Sequence, residues 1–270
     1  MKLSDAERIL GEGGIEDARR EARRLFTHFA RLPEAELYCR DAESDSPELT
    51  EAVRRRAERF PLQYIIGEVD FYRECYKVTP DCLIPRSDTE ILVDEVIKRL
   101  PPEADFIDLC TGSGCIALSI LKNTEKTEAV AVDVSEGALN VARENAERLG
   151  LSKRVSFLLE DALRLKVREK VFAVVSNPPY VSNSAYRELQ AEIFYEPEIA
   201  FLGGEDGLLF YRKIIPLYKD ALAEDGFFAF EIGYDQADAI KNIAKENGFD
   251  TEIIKDYGQN PRVAILKKTI

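Results

Sequence analysis

Over the first sixty or so residues, apolar positions recur at helical spacing. From Ile15, the series Ala18, Ala22, Leu25, Phe26 and Phe29 falls on one face of a helix. Ser4 and Glu7 fit a capping box for a shorter helix before it, which the Gly11, Gly13 and Gly14 cluster ends. Ser46 as a cap with Pro47 in the first turn predicts another helix, and Pro61 stops it. The stretch "YIIGEVDFYRECYKVTP" then mixes glycine with β-branched and aromatic residues and predicts a hairpin. Ser87 and Glu90 form a second capping box, followed by Leu92, Val96 and Leu100 on one helical face.

From about residue 105 the pattern alternates. "DFIDL", "AVAVDV", "VSFLL", "FAVVS" and "FFAFEIG" are strand-length apolar runs, and "CIALSILK", "SEGALNVARENAERLG", "GLLFYRKIIPLYKDAL" and "DQADAIKNIAKENG" have helical periodicity. Strand–helix alternation predicts an α/β fold with a mostly parallel, doubly wound sheet. The last two runs, "TEIIKD" and "RVAILKK", are joined only by "YGQNP", too short for a parallel crossover, so they should pair as an antiparallel hairpin. We therefore expect a helical domain over 1–66, a hairpin linker over 67–84 and an α/β domain over 85–270.

Composition narrows the function. The 270 residues are 45% hydrophobic and 32% charged, with a net charge of −13. A protein that grips phosphate backbones by counterion release normally carries the opposite sign, so direct nucleic-acid partners are not expected. The cluster "RRRAER" (Arg54 to Arg59) is a candidate basic patch, better read as the solvated face of a helix. No apolar run approaches the roughly 18 residues of a membrane span, and "MKLSDAERIL" lacks the apolar core of a secretory signal. Five cysteines without a CxxC pair suggest reduced, mostly buried thiols of a cytoplasmic protein. One histidine, His28, leaves little for a metal site or a histidine-based triad, so no metal is expected.

"DLCTGSG" (Asp108 to Gly114) follows the first strand of the alternating region and opens a helix. Its glycines allow close backbone approach, and the helix N-terminus offers free N–H groups. Nineteen residues after Gly114, Asp133 ends the second strand, where a carboxylate can accept both hydroxyls of a ribose. A dinucleotide and S-adenosylmethionine both fit, because Ala117 is a tolerated variant of the third dinucleotide glycine. The closing antiparallel hairpin favours S-adenosylmethionine. Asp161, after the third strand, can reach an adenine edge, with Ala162 beside it.

"SNPPY" (Ser176 to Tyr180) ends the buried run "FAVV", where two prolines forbid both helix and ladder. At the carboxyl end of a strand the segment faces a ligand crevice. The Asn177 side chain and the Pro178 main chain offer two preorganised carbonyl oxygens, and Tyr180 can lay its ring on a flat group. Two convergent acceptors suit a planar –NH2, and holding both hydrogens aims the nitrogen at an activated methyl without a strong base. Adenine N6, cytosine N4 and the glutamine side-chain amide all qualify; the acidic charge favours glutamine, because base extrusion usually needs a basic surface.

The sequence resembles the glutamine methyltransferases of class 1 peptide chain release factors. The resemblance rests on "PLQYIIGEVDFY", "LIPRSDTEILVDE", "DLCTGSGCIALSI", "SNPPYV", "YEPEIAFLGGEDGLLFYRKI", "FEIGYDQ" and "KDYGQNPRV". It implies methyl transfer from S-adenosylmethionine to the N5 amide of the glutamine in a Gly-Gly-Gln motif. Cys110, Thr111, Gly112, Ser113, Gly114 and Asp133 would bind the donor, Asn177 would touch donor and substrate, and Pro178, Pro179 and Tyr180 would complete the glutamine site. Arg86, Glu90 and Glu196 would shape the pocket. Cys110 stands where the family commonly has glycine, Ser87 and Asp88 where Pro-Glu is usual, and Ala162 where an aromatic is frequent. The alternatives are a ribosomal-protein glutamine methyltransferase, a DNA or RNA amino-methyltransferase and a non-catalytic S-adenosylmethionine-binding protein. On the family reading, the helical domain and hairpin would recognise the release factor, with its loop entering a cleft between domains.

Overall fold

Leu10, Leu25, Phe26, Leu49 and Val53 have no exposed surface and form the centre of a helical core. In the computed structural model, which describes residues 1–269, these side chains come from α1 (Leu3–Glu12), α2 (Ala18–Phe29) and α4 (Pro47–Ala57), with α3 (Glu34–Cys39) and α5 (Leu62–Ile66) completing the set. The described residues divide into two compact units, 1–68 with 190–195, and 69–189 with 196–269. Segment 190–195 therefore returns to the helical unit from deep within the second one.

Local signals set the helix ends unevenly. Ser46 caps α4 as expected, its Oγ accepting from the Leu49 N–H at 3.1 Å, with Pro47 in the first turn. The capping box expected at Ser4 is absent. Helix α1 starts two residues earlier, at Leu3 with Lys2 as its N-cap, and Ser4 instead donates its N–H and hydroxyl to Asp41, each at 2.9 Å. The second box, at Ser87, is also absent: 87–89 form a 3-10 turn, α6 (Glu90–Arg99) begins after it, and the Glu90 carboxylate accepts the Tyr72 N–H at 2.9 Å. In both places a partner distant in sequence outcompetes the local cap. The arginine cluster also differs from a solvated face, because Arg56 is buried and paired with Glu21 and Glu192. Of the five cysteines, Cys82 and Cys115 are buried and Cys39 is exposed, fewer buried than expected.

From Glu68, the last residue of the first unit's main stretch, β1 (Glu68–Phe71) and then β2 (Glu74–Lys77) form the hairpin. The main elements then run β3 (Phe106–Leu109), α7 (Cys115–Lys122), β4 (Ala129–Asp133), α8 (Glu136–Arg148), β5 (Val155–Leu159), β6 (Val171–Ser176), α9 (Asn183–Tyr186), α10 (Leu209–Tyr218), β7 (Leu222–Glu231), α11 (Ala237–Glu246), β8 (Phe249–Lys255) and β9 (Pro261–Lys268). The seven-stranded sheet has the order β5-β4-β3-β6-β7-β9-β8. Strands β3 to β7 pair in parallel, and β9 runs antiparallel to both β7 and β8. The expected hairpin is present, with β9 between β7 and β8. Chain order reverses between β3 and β6, which makes the carboxyl ends of those two strands the switch point where open α/β sheets bind ligands. No helix among the described residues is long and apolar enough to cross a membrane.

Candidate active site

Two loops meet at that switch point. Ser176, the last residue of β6, donates its hydroxyl to the Leu109 carbonyl at the end of β3, 2.6 Å away, closing the strand pair just below the site. Beyond β3 the backbone turns through three positive φ angles, at Cys110 (+60°), Gly112 (+56°) and Gly114 (+79°). A side chain on Gly114 would sit 3.1 Å from Ala142 Cβ and 3.2 Å from Leu118, so glycine lets α7 start against α8. Cys110 holds a left-handed conformation that non-glycine residues seldom adopt. Asn145 of α8 fastens the turn from outside, donating its amide to the Ser113 carbonyl at 2.9 Å and to the Lys77 carbonyl at 3.0 Å.

Asp133 faces this turn from the end of β4. Its Oδ2 accepts the Gly112 N–H at 2.8 Å and its Oδ1 the Ser135 N–H at 2.9 Å, which leaves one lone pair on each oxygen. Burial pushes its pKa up, while these N–H bonds oppose that. Asp108 lies fully buried beneath the loop, where burial pushes its pKa up to about 7 although the Thr111 hydroxyl donates to it at 2.6 Å. Burial likewise holds the Cys110 and Cys115 thiols protonated. The surroundings disfavour charge.

A cavity of about 270 Å³, close to the lower end of small-molecule sites at roughly 300 Å³, opens here. Cys110, Gly112, Asp133, Asp161, Ala162, Asn177 and Pro179 line it. Thr111, Ser113, Gly114, Pro178, Tyr180, Arg86, Glu90 and Glu196 do not. Glycine-loop amides, a strand-end carboxylate with spare lone pairs and a largely apolar wall fit an adenosyl group carrying a cationic sulfur. Sequence reasoning missed Asp81, Cys82 and Leu83, which enter from the loop after the hairpin, and Phe210 from α10. Nothing in their local pattern distinguishes them from core residues.

The "NPPY" loop is held on several sides. Gln236 donates to the Tyr180 carbonyl at 2.9 Å and to the Gly207 carbonyl at 3.2 Å, and its Oε1 accepts the Gly233 N–H at 2.9 Å. A Cβ on Gly207, at φ +76°, would lie 2.3 Å from the Tyr180 carbonyl, so only glycine permits that approach. The Tyr180 hydroxyl donates to Glu231 at 3.1 Å. Among the described residues nothing donates to Asn177 Oδ1 or to the Pro178 carbonyl. Glu196 is bound to Arg86 and accepts the Ile84 N–H at 2.9 Å, the arrangement of a structural ion pair beside the site. Tyr180, Tyr211 and Glu231 are joined in one polar cluster, with the Tyr211 hydroxyl donating to the Glu231 carbonyl at 2.8 Å.

Residues 2–67 match the PrmC N-terminal domain family and residues 87–206 the Methyltransferase small domain family. The release factor glutamine methyltransferase of Thermodesulfovibrio yellowstonii is 42% identical over 260 residues, covering 93% of this chain and 92% of that one. The enzyme of the same name from Moorella thermoacetica is 39% identical over 268 residues, with 96% and 95% covered. Among solved structures, the ribosomal protein L11 methylase of Lactobacillus delbrueckii subsp. bulgaricus shares the fold, with a TM-score of 0.52 and 23% identity over 72% of this chain and 84% of that one.

Proposed function

The chain belongs to the release factor glutamine methyltransferase family, and from that premise we propose that its substrate is the Gly-Gly-Gln glutamine of a class 1 peptide chain release factor, with Asn177 and Pro178 as the pair that holds the reacting amide. S-adenosylmethionine, when bound, supplies an electrophilic methyl group on sulfur and leaves as S-adenosylhomocysteine. The Asp133 carboxylate accepts the ribose hydroxyls, Asp161 and Ala162 flank the adenine, and the Cys110 to Gly114 turn cradles the amino-acid end. Asn177 Oδ1 and the Pro178 carbonyl each accept one hydrogen of the glutamine –NH2. That grip turns the nitrogen toward the cavity, and the two carbonyl dipoles stabilise the positive charge growing on it. The Tyr180 ring lies against the amide plane, and the displaced proton goes to water. No general base is needed, in keeping with a site where burial opposes charge. Pro179, Arg86, Glu90 and Glu196 support the loop around the substrate, and the helical unit over 1–66 recognises the release factor.

The observation that carries this reading is the pair of acceptor oxygens without donors at the carboxyl end of β6. Mass spectrometry of purified release factor, after incubation with the protein and donor, should show one added methyl on that glutamine. Asn177→Ala should lower kcat by about 10²- to 10³-fold, the usual loss for one preorganised polar group. Methyl on a ribosomal protein instead would point to the related enzyme, and full activity in Asn177→Ala would overturn the assignment.

A further inference from the structure

Asn177 works only one way round. With Oδ1 toward the glutamine it accepts a hydrogen bond; turned by 180° it presents hydrogens to hydrogens. The two orientations have nearly the same shape, so packing cannot choose between them, and the choice falls to the polarity of the group behind. That group is Thr89, whose Oγ1 lies 3.4 Å from Asn177 Nδ2. The Thr89 hydroxyl in turn lies 2.5 Å from Glu231 Oε2, and the Tyr180 hydroxyl donates to Oε1 at 3.1 Å. Thr89 and Glu231 are each 2% exposed, so water does not compete with these bonds.

We infer that Thr89 and Glu231 are positioning residues that fix the orientation of Asn177, an inference resting on the acceptor role given to Asn177 above. A carboxylate has no proton to give, so the single Thr89 hydroxyl proton must point to Glu231. Thr89 then shows only lone pairs to Asn177, and only the –NH2 end can meet them. Turning Asn177 would set two oxygen lone pairs against each other in a buried place, with the –NH2 left unmatched. The acceptor at the far end of the chain thus leaves Oδ1 free for the substrate. Burial and the Asp88 charge raise the pKa of Glu231, and the Thr89 hydroxyl, the nearby Arg262 charge and the Tyr180 hydroxyl oppose that; both of its oxygens accept, Oε2 from Thr89 and Oε1 from Tyr180. The same carboxylate holds Tyr180, so one buried acid at the end of β7 sets both polar members of the glutamine site.

The test is steady-state kinetics of the full chain on release factor, with donor affinity measured by calorimetry, for wild type and for Asn177→Ala, Thr89→Ser, Thr89→Val and Glu231→Gln. Thr89→Ser keeps the hydroxyl and should stay within about 3-fold of wild-type kcat. Thr89→Val keeps the shape without the hydroxyl and should lose about 10- to 100-fold in kcat, with donor affinity changed less than about 2-fold. Glu231→Gln can donate to Thr89 and release its proton toward Oδ1, so kcat should fall by about 10-fold. The Thr89→Val/Glu231→Gln double variant should be no worse than Thr89→Val, because the chain is already broken. A kcat for Thr89→Val equal to that of Thr89→Ser overturns the inference. If Thr89→Val does not fold, a folded Glu231→Gln with wild-type kcat overturns it instead. Loss of activity in Asn177→Ala with full activity in Thr89→Val removes this inference alone; undiminished activity in Asn177→Ala removes the acceptor reading as well.

Discussion

At the scale of single residues, Asp108 shows how burial and charge trade against each other. It has no exposed surface, one of its oxygens has no partner among the described residues, and its pKa is pushed from 3.8 up to about 7. The folded chain therefore holds this proton more tightly than the unfolded chain. Stability from this group is fully present below pH 4 and is lost as pH rises through 7. Asp108→Asn removes that dependence. From pH 5 to pH 8, wild type should lose up to about 3 kcal/mol relative to Asp108→Asn, measured by urea unfolding at the two pH values. Equal slopes would mean that Asp108 stays ionised throughout. A strand-end acid after an apolar run was readable at Asp133, but the same pattern at Glu231 passed unnoticed, because its partners are side chains that no local rule names.

Among the elements, the segment 190–195 stands apart. Its Glu192 accepts from Arg56 at 3.1 Å and from Arg59 at 2.9 Å, and Arg56 is also held by Glu21 of α2. The Tyr195 ring packs edge-on against Phe60 with centroids 5.0 Å apart, and its hydroxyl donates to the Glu58 carbonyl at 3.3 Å. Arg56 is 7% exposed, and its removal takes the partner from the half-buried Glu21 and leaves Glu192 with Arg59 alone. Arg56→Ala should lower stability by about 3 kcal/mol, whereas Arg54→Ala, which breaks exposed pairs with Glu51 and Glu58, should leave the unfolding temperature close to that of wild type. Thermal unfolding of the two variants checks the contrast. Helical periodicity and cap residues located α2, α4, α7 and α8 well, since burial on one face and a free N–H are local matters. They failed at Ser4 and Ser87, where Asp41 and Tyr72 decide the outcome from a distance.

For the whole molecule, a net charge of −13 and a family of protein methyltransferases point the same way. With radiolabelled donor and cell extract, label should survive nuclease and be lost to protease; label lost to nuclease would support a nucleic-acid substrate. The sequence by itself determined the order of strands and helices, the antiparallel close, the glycine turn and the proline-stiffened loop after β6, because hydrophobic period, glycine and proline act through the chain next to them. Only the tertiary structure decided which polar groups meet. Thr89 and Glu231 are 142 residues apart, Ile84 and Glu196 112, and Arg56 and Glu192 136, yet each pair shares a hydrogen bond. The reason is physical: a buried polar group must find a partner somewhere, and strand order, not sequence distance, determines which one is within reach.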